Sequence, residues 1–134
     1  MGTLDFIGVH RLTMRSAVSG AADLMSSKLK RRHYRGEQQR TPVRCKRFDA
    51  ILKENNIGPI DFLSLDVEDA EMTVLNTMDW WANPVHITVI ERGRTDRERK
   101  ERRSALQAAC MQLHHRDQEN DWWVNKKFPA AACS

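Results

Sequence analysis

An apolar run that breaks into a burst of carboxylates, Ile60-Asp-Phe-Leu-Ser-Leu-Asp-Val-Glu-Asp-Ala-Glu71, constrains this chain more than any other stretch. Ile60–Leu65 is interrupted only by Asp61 and Ser64, which suits a parallel strand covered on both faces. In open α/β sheets, ligands bind beyond the carboxyl ends of the strands, where loops converge and helix N-termini present unpaired N–H groups. Asp66, Glu68, Asp69 and Glu71 all fall in that zone.

The flanking sequence alternates in period. Phe48, Ile51 and Leu52 recur at helical spacing before the stop signals of Asn55-Asn-Ile-Gly-Pro59, so 47–54 is predicted as a short helix. After the strand, 68–82 returns to a helical period, with Ala70, Val74, Met78 and Trp81 along one side and early acids that offset the helix dipole. Asn83-Pro84 ends it. Val85–Glu91 is rich in β-branched residues and reads as a second strand that again ends in a carboxylate. Thr95-Asp-Arg-Glu98 matches a capping box, and the helix it opens is expected to reach about Leu113, its charged first half (97–103) projecting into water. Asp121–Val124 is the last expected strand, the return arm of a hairpin.

Upstream of Arg47 the pattern is poor, with a short amphipathic turn near 21–29 and a brief extended piece at 41–45, where Pro42 biases its predecessor away from helix. The division that follows is 1–42 as a loosely packed basic segment, 43–128 as the folded body and 129–134 as a frayed tail. Alternating helices and strands specify an α/β sheet of parallel strands with right-handed crossovers, flanking helices and a terminal antiparallel hairpin.

Composition narrows the function classes. The net charge of +4 conceals an asymmetry: nine Lys or Arg stand between 28 and 47 against one acid, Glu37, leaving 13 basic and 17 acidic residues elsewhere. The body is therefore mildly acidic, which argues against a domain-wide nucleic-acid surface. No run approaches the roughly 18–20 apolar residues of a membrane span, and the first residues lack a secretory pattern. Cys45, Cys110 and Cys133 are odd in number, far apart and without CxxC spacing, so a reducing, cytoplasmic setting without structural disulfides is the expectation. His114-His115 with Asp117 lacks a third ligand at recognised spacing, so no metal site is expected. Trp80-Trp81 and Trp122-Trp123 each send neighbouring side chains opposite ways, so one of each pair belongs to the core.

If the two strands are neighbours, their carboxyl ends lie about 5 Å apart, and Asp66, Glu68 and Glu91 share a crevice. Crowded acids raise one another's pKa or attract a proton, a metal ion, an amine or sugar hydroxyls. The bland alternative is that Glu68 and Asp69 only start a helix and Glu91 only caps the turn before Gly93.

The same residues resemble a known family. Asp61–Glu71 followed by Val74-Leu75 is similar to the signature strand and helix of FkbM-type methyltransferases, an apolar strand ending in Asp-Val-Glu-Gly-Ala-Glu. Val43–Leu52 resembles the short strand and helix before it, and Val85–Glu91 the strand after it. Ala17-Val-Ser-Gly20 with Leu24-Met25-Ser26 resembles, less closely, a preceding loop. The resemblance implies a Rossmann-like fold that uses S-adenosylmethionine to methylate a hydroxyl oxygen on a small molecule or sugar. It implies Asp66 and Glu68 as catalytic residues beside the methyl donor and acceptor, Asp66 also holding the cofactor, and Glu91 and Asp69 as substrate-binding. A carboxylate of raised pKa suits deprotonation of the acceptor. Asp69 stands where the family has Gly, a residue that lets a ligand approach the backbone.

The donor-binding half of such a fold needs a glycine-rich turn, and the six glycines here form no GxG pair. The chain is thus expected to represent the C-terminal half of the family's domain, with the 60–65 strand left as an open edge that invites self-association or a partner chain. The rival expectation is a non-catalytic interaction module whose basic segment binds an anionic partner such as RNA or an acidic protein.

Overall fold

The computed structural model describes residues 2–8, 20–21, 24–25, 27, 30–31 and 39–129. They fall into two compact units, one of Met1–Lys46 with Val67–Ala70 and one of Arg47–Asp66 with Glu71–Ser134. The first unit contains a three-stranded antiparallel sheet of β1 (Gly2–Gly8), β2 (Gly20–Ala21) and β3 (Gln39–Cys45) in the order β2-β1-β3. β1 pairs with β3 along its whole length, Gly2 against Cys45 and Gly8 against Gln39. Pro42 lies on an edge strand of this sheet, the setting in which proline is tolerated within a strand. The sequence pattern shows only the end of β3; β1 goes unread because its apolar residues do not alternate cleanly. Most of the expected 21–29 turn and the 130–134 tail lie outside the described residues.

The second unit runs α1 (Phe48–Glu54), β4 (Ile60–Leu65), α2 (Glu71–Leu75), β5 (Val85–Glu91), α3 (Asp96–Ala108), β6 (Gln112–Arg116) and β7 (Asn120–Val124). Its sheet has the order β4-β5-β7-β6. β4 and β5 are parallel, Ile60 facing Val85 and Leu65 facing Ile90, whereas β5–β7 and β7–β6 are antiparallel. The fold is mixed α/β, and the expectation of a chiefly parallel sheet holds for one pair of strands.

Three expected elements change length or setting. The helix foreseen over 68–82 shrinks to 71–75 because side chains compete for its backbone. Thr77 donates its hydroxyl to the Val74 carbonyl at 2.8 Å, and the Asp79 carboxylate accepts from the Trp81 and Ala82 amides at 3.1 and 3.0 Å. Thr77 also caps α1 from outside: its hydroxyl accepts from Phe48 N and its carbonyl from Asp49 N, each at 3.2 Å. Trp81 is accordingly 71% exposed. The last long helix stops at Ala108 rather than Leu113, because Cys110 takes φ 66° and the chain turns into β6. β4, expected to be covered on both faces, leaves Asp61, Phe62 and Ser64 exposed; it is an edge strand of the described sheet, with Phe62 53% exposed.

Leu52, Leu63, Met78 and Val85 form one buried cluster, with Phe48, Ile60 and Trp80 packed against it. Leu106 on α3 and Trp123 on β7 are also fully buried, and the Thr88 hydroxyl donates to Met111 Sδ at 3.3 Å. Trp122 instead donates Nε1–H to Asp117, whose carboxylate also accepts from the Glu119 and Asn120 amides. These bonds, the one from Trp122 first, hold the Asp117 carboxyl down at about 2 and lock the β6–β7 turn. The capping box at α3 forms as read, Thr95 Oγ1 accepting from Glu98 N and Glu98 Oε2 from Thr95 N. Cys110 is disulfide-bonded, against the expectation of no structural disulfide; spacing along the chain carries no record of which thiols the fold brings together.

No helix among the described residues is long and apolar enough to cross a membrane. Leu106→Ala should lower the free energy of unfolding by about 2–5 kcal/mol in urea denaturation, since a fully buried leucine leaves a cavity. A loss below about 1 kcal/mol would show that α3 is not seated on the core.

Candidate active site

Parallel pairing brings the ends of β4 and β5 to one level. Because Leu65 faces Ile90, the next residues along, Asp66 and Glu91, emerge side by side. Glu71, the first residue of α2, joins them from a fully buried position. Carboxylate oxygens of Asp66, Glu71 and Glu91 lie within 4.8 Å of one another.

Three acids this close repel unless something offsets their charge, and Arg102 does so from α3. Its Nη2 donates to Glu71 Oε2 at 2.7 Å, and both side chains are all but excluded from solvent. Its Nη1 donates to the main-chain carbonyl of Glu91. Its Nε–H is buried with no acceptor among the described residues. Glu91 itself is half-buried, with the exposed Arg94 guanidinium at 3.6 Å. Burial is the main cause that raises the Glu91 carboxyl above its ordinary value; Arg94 opposes, Glu71 adds to the rise, Arg102 opposes and Asp66 adds. Asp66 is exposed, with no ion pair or hydrogen bond among the described residues. The cluster therefore offers two carboxylates, Asp66 and Glu91, to a ligand, while Glu71 is committed to Arg102.

Glu68 and Asp69 do not start the helix as expected. They form the centre of a turn closed by Ala70 N donating to the Val67 carbonyl at 3.2 Å, with φ 50° at Glu68 and 76° at Asp69. Positive φ at both central positions is the signature of a type I′ turn. This supplies a backbone reason for glycine at position 69: it is a left-handed site, which an aspartate occupies at some strain. Gly93, just past β5, is required by packing instead. A Cβ there would meet Glu98 Cβ at 2.6 Å and Arg99 N at 2.9 Å, so glycine lets the first turn of α3 close against the end of β5.

The structure thus brings together Asp66 and Glu91 of the residues nominated from sequence, and adds Glu71 and Arg102. A signal for both was present. Glu71, Leu75 and Met78 are spaced as one buried stripe, and Arg102 precedes Leu106 by one turn on the buried face of α3, so each ionised residue continues an apolar row. The reading of 97–103 as uniformly solvated misses this for Arg102. A separate cleft of 710 Å³, lined by Arg47, Lys53, Ile57 and Asn83 among others, lies at the opposite, amino ends of β4 and β5 and shares no residue with the acids.

A sequence model of the FkbM methyltransferase domain matches residues 6–123 of the chain. The chain belongs to the FkbM methyltransferase family. The match spans both units, from β1 to β7. Among curated proteins and among solved structures, none matches the chain.

Two outcomes follow from this geometry. Asp69→Gly should raise stability by about 1 kcal/mol, the scale of strain released when a left-handed position passes to glycine; a loss in urea denaturation would show that the Asp69 side chain is a net contributor. The second concerns pH. Burial raises the Glu91 carboxyl, so the folded chain holds that proton more tightly than the unfolded one. The resulting stabilisation is present below the ordinary glutamate value of about 4.3 and is lost as pH rises through the raised folded value. Glu91→Gln should flatten that fall in a series of denaturation curves, and identical slopes would contradict the assignment.

Proposed function

We propose that the protein is an S-adenosylmethionine-dependent methyltransferase acting on a hydroxyl oxygen of a small molecule or sugar. Its β4-α2-β5-α3 segment would form part of a Rossmann-like sheet. The observation that carries this reading is the convergence of Asp66 and Glu91 at the carboxyl ends of two parallel strands, in a chain of this family.

The residues present fit such a cofactor in two respects. The carboxylates of Asp66 and Glu91 suit its cationic and hydroxyl-bearing parts, and the buried Nε–H of Arg102, with no acceptor among the described residues, suits a ligand oxygen. When bound, S-adenosylmethionine supplies a methyl group on a sulfonium centre. Asp66, exposed at the tip of β4, would hold hydroxyl groups of cofactor or acceptor by accepting their hydrogen bonds. Glu91 would take the acceptor's proton, because its burial makes it a stronger base than an ordinary carboxylate. That gives the base to Glu91 rather than to Asp66 or Glu68, the residues the resemblance implies as catalytic. Glu68 and Asp69 enter the proposal through the resemblance alone.

Calorimetric titration with S-adenosylhomocysteine tests this. Saturable binding is expected, weakened at least tenfold by Asp66→Ala, on the scale of a lost charge-assisted hydrogen bond, about 1.5–3 kcal/mol. Absence of saturable heat from the unaltered chain would overturn the reading.

A further inference from the structure

Arg102 takes no part in the proton transfer just described, and yet it is 7% exposed, on a helix whose other arginines lie at the surface. An arginine is costly to bury unless its partners are specific, so its two bonds define what it does. One reaches the carboxylate that opens α2 and the other the last main-chain carbonyl of β5. We infer that Arg102 is a positioning residue: it ties the start of α2 to the end of β5, and thereby holds the Glu91 side chain half-buried beside Asp66.

Geometry explains why these two attachments matter. Glu91 is the final residue of β5, and its carbonyl accepts from Arg102 where the strand ladder ends. The amide of the same peptide, Arg92 N, donates to the Glu119 carbonyl at 2.7 Å and holds the strand end on the β7 side; Arg102 holds its carbonyl on the α3 side, and without that second attachment the Glu91 side chain can turn toward water. The Glu71 bond fixes the other side, since α2 has only five residues and cannot set its own orientation by length. Arginine suits the task through its planar fork, which presents donors in two fixed directions at once; lysine presents a single point of charge.

The groups facing Glu91 are Asp66 at the tip of β4, Glu71 on α2, Arg94 in the following loop and Arg102 on α3. On the β7 side its register partner is Asn120, and the adjacent Asp121 pairs with Arg116 of β6. Removing Glu71 and Arg102 together deletes one group that raises the Glu91 carboxyl and one that lowers it. A large downward move of the Glu91 titration in that variant therefore reports loss of burial rather than loss of charge.

The experiment uses the full chain without ligand, and follows the Glu91 side-chain carboxyl by carbon-13 NMR as a function of pH. Arg102→Met alone leaves Glu71 buried without its partner and can fail to fold, so the informative variants are Arg102→Lys and the double substitution Glu71→Gln with Arg102→Met, in which neither charge remains. Glu91 is expected to titrate above the ordinary glutamate range in the unaltered chain, to fall into that range in the double variant, and to lie between the two in Arg102→Lys. A Glu91 titration in the double variant equal to that of the unaltered chain would overturn the inference. One further readout rests on the proposed methyltransferase reading: S-adenosylhomocysteine affinity should fall at least tenfold in the double variant and no more than a few-fold in Arg102→Lys. If the unaltered chain does not bind this compound, that reading fails, while the ligand-free titration still decides the role of Arg102.

Discussion

Parallel pairing of β4 with β5 is the constraint on which the candidate site depends. Two parallel neighbours end at the same side of the sheet, so whatever follows each strand is delivered to one place, whereas an antiparallel pair would send the two ends apart. Here the residues delivered are Asp66 and Glu91. The α2 turn and the Gly93 approach then bring Glu71 and the first turn of α3 toward the same strand ends.

Such a convergence of carboxylates is electrostatically unfavourable by itself. The buried Glu71–Arg102 pair removes one acid from the repulsion and uses a second guanidinium donor on the Glu91 carbonyl. A buried ion pair of this kind is weak evidence for net stability, because desolvation offsets most of its attraction. Its value lies in placing groups. The remaining acids differ in setting: Asp66 faces solvent, and Glu91 is partly withdrawn from it.

Much of this was legible along the chain. The limits of β4 and β5 emerge from the sequence to the residue, because β-branched and apolar runs bounded by Pro and carboxylates leave little choice. The Thr95–Glu98 capping box was equally plain, since both of its partners are three residues apart. Elements that depended on remote contacts were not. α2 is short because Thr77 and Asp79 take over backbone groups, and Thr77 does so while capping α1, a segment 29 residues upstream. Arg102 continues the Leu106 row of α3 in the sequence, but its partners show only once α3 is laid across the end of β5.

By itself the sequence determined which residues are strand-forming, where the acids stand relative to strand ends, and the family to which the motif belongs. Those are local properties: side-chain branching, apolar period and capping chemistry act within a few residues. Tertiary structure alone decided that β7 returns antiparallel beside β5, that Glu68 and Asp69 enter a left-handed turn rather than a helix, and that Glu71 meets Arg102. Each of these joins groups distant in sequence, or sets one backbone conformation against another, and such choices are fixed by burial and by the need to satisfy charge out of water.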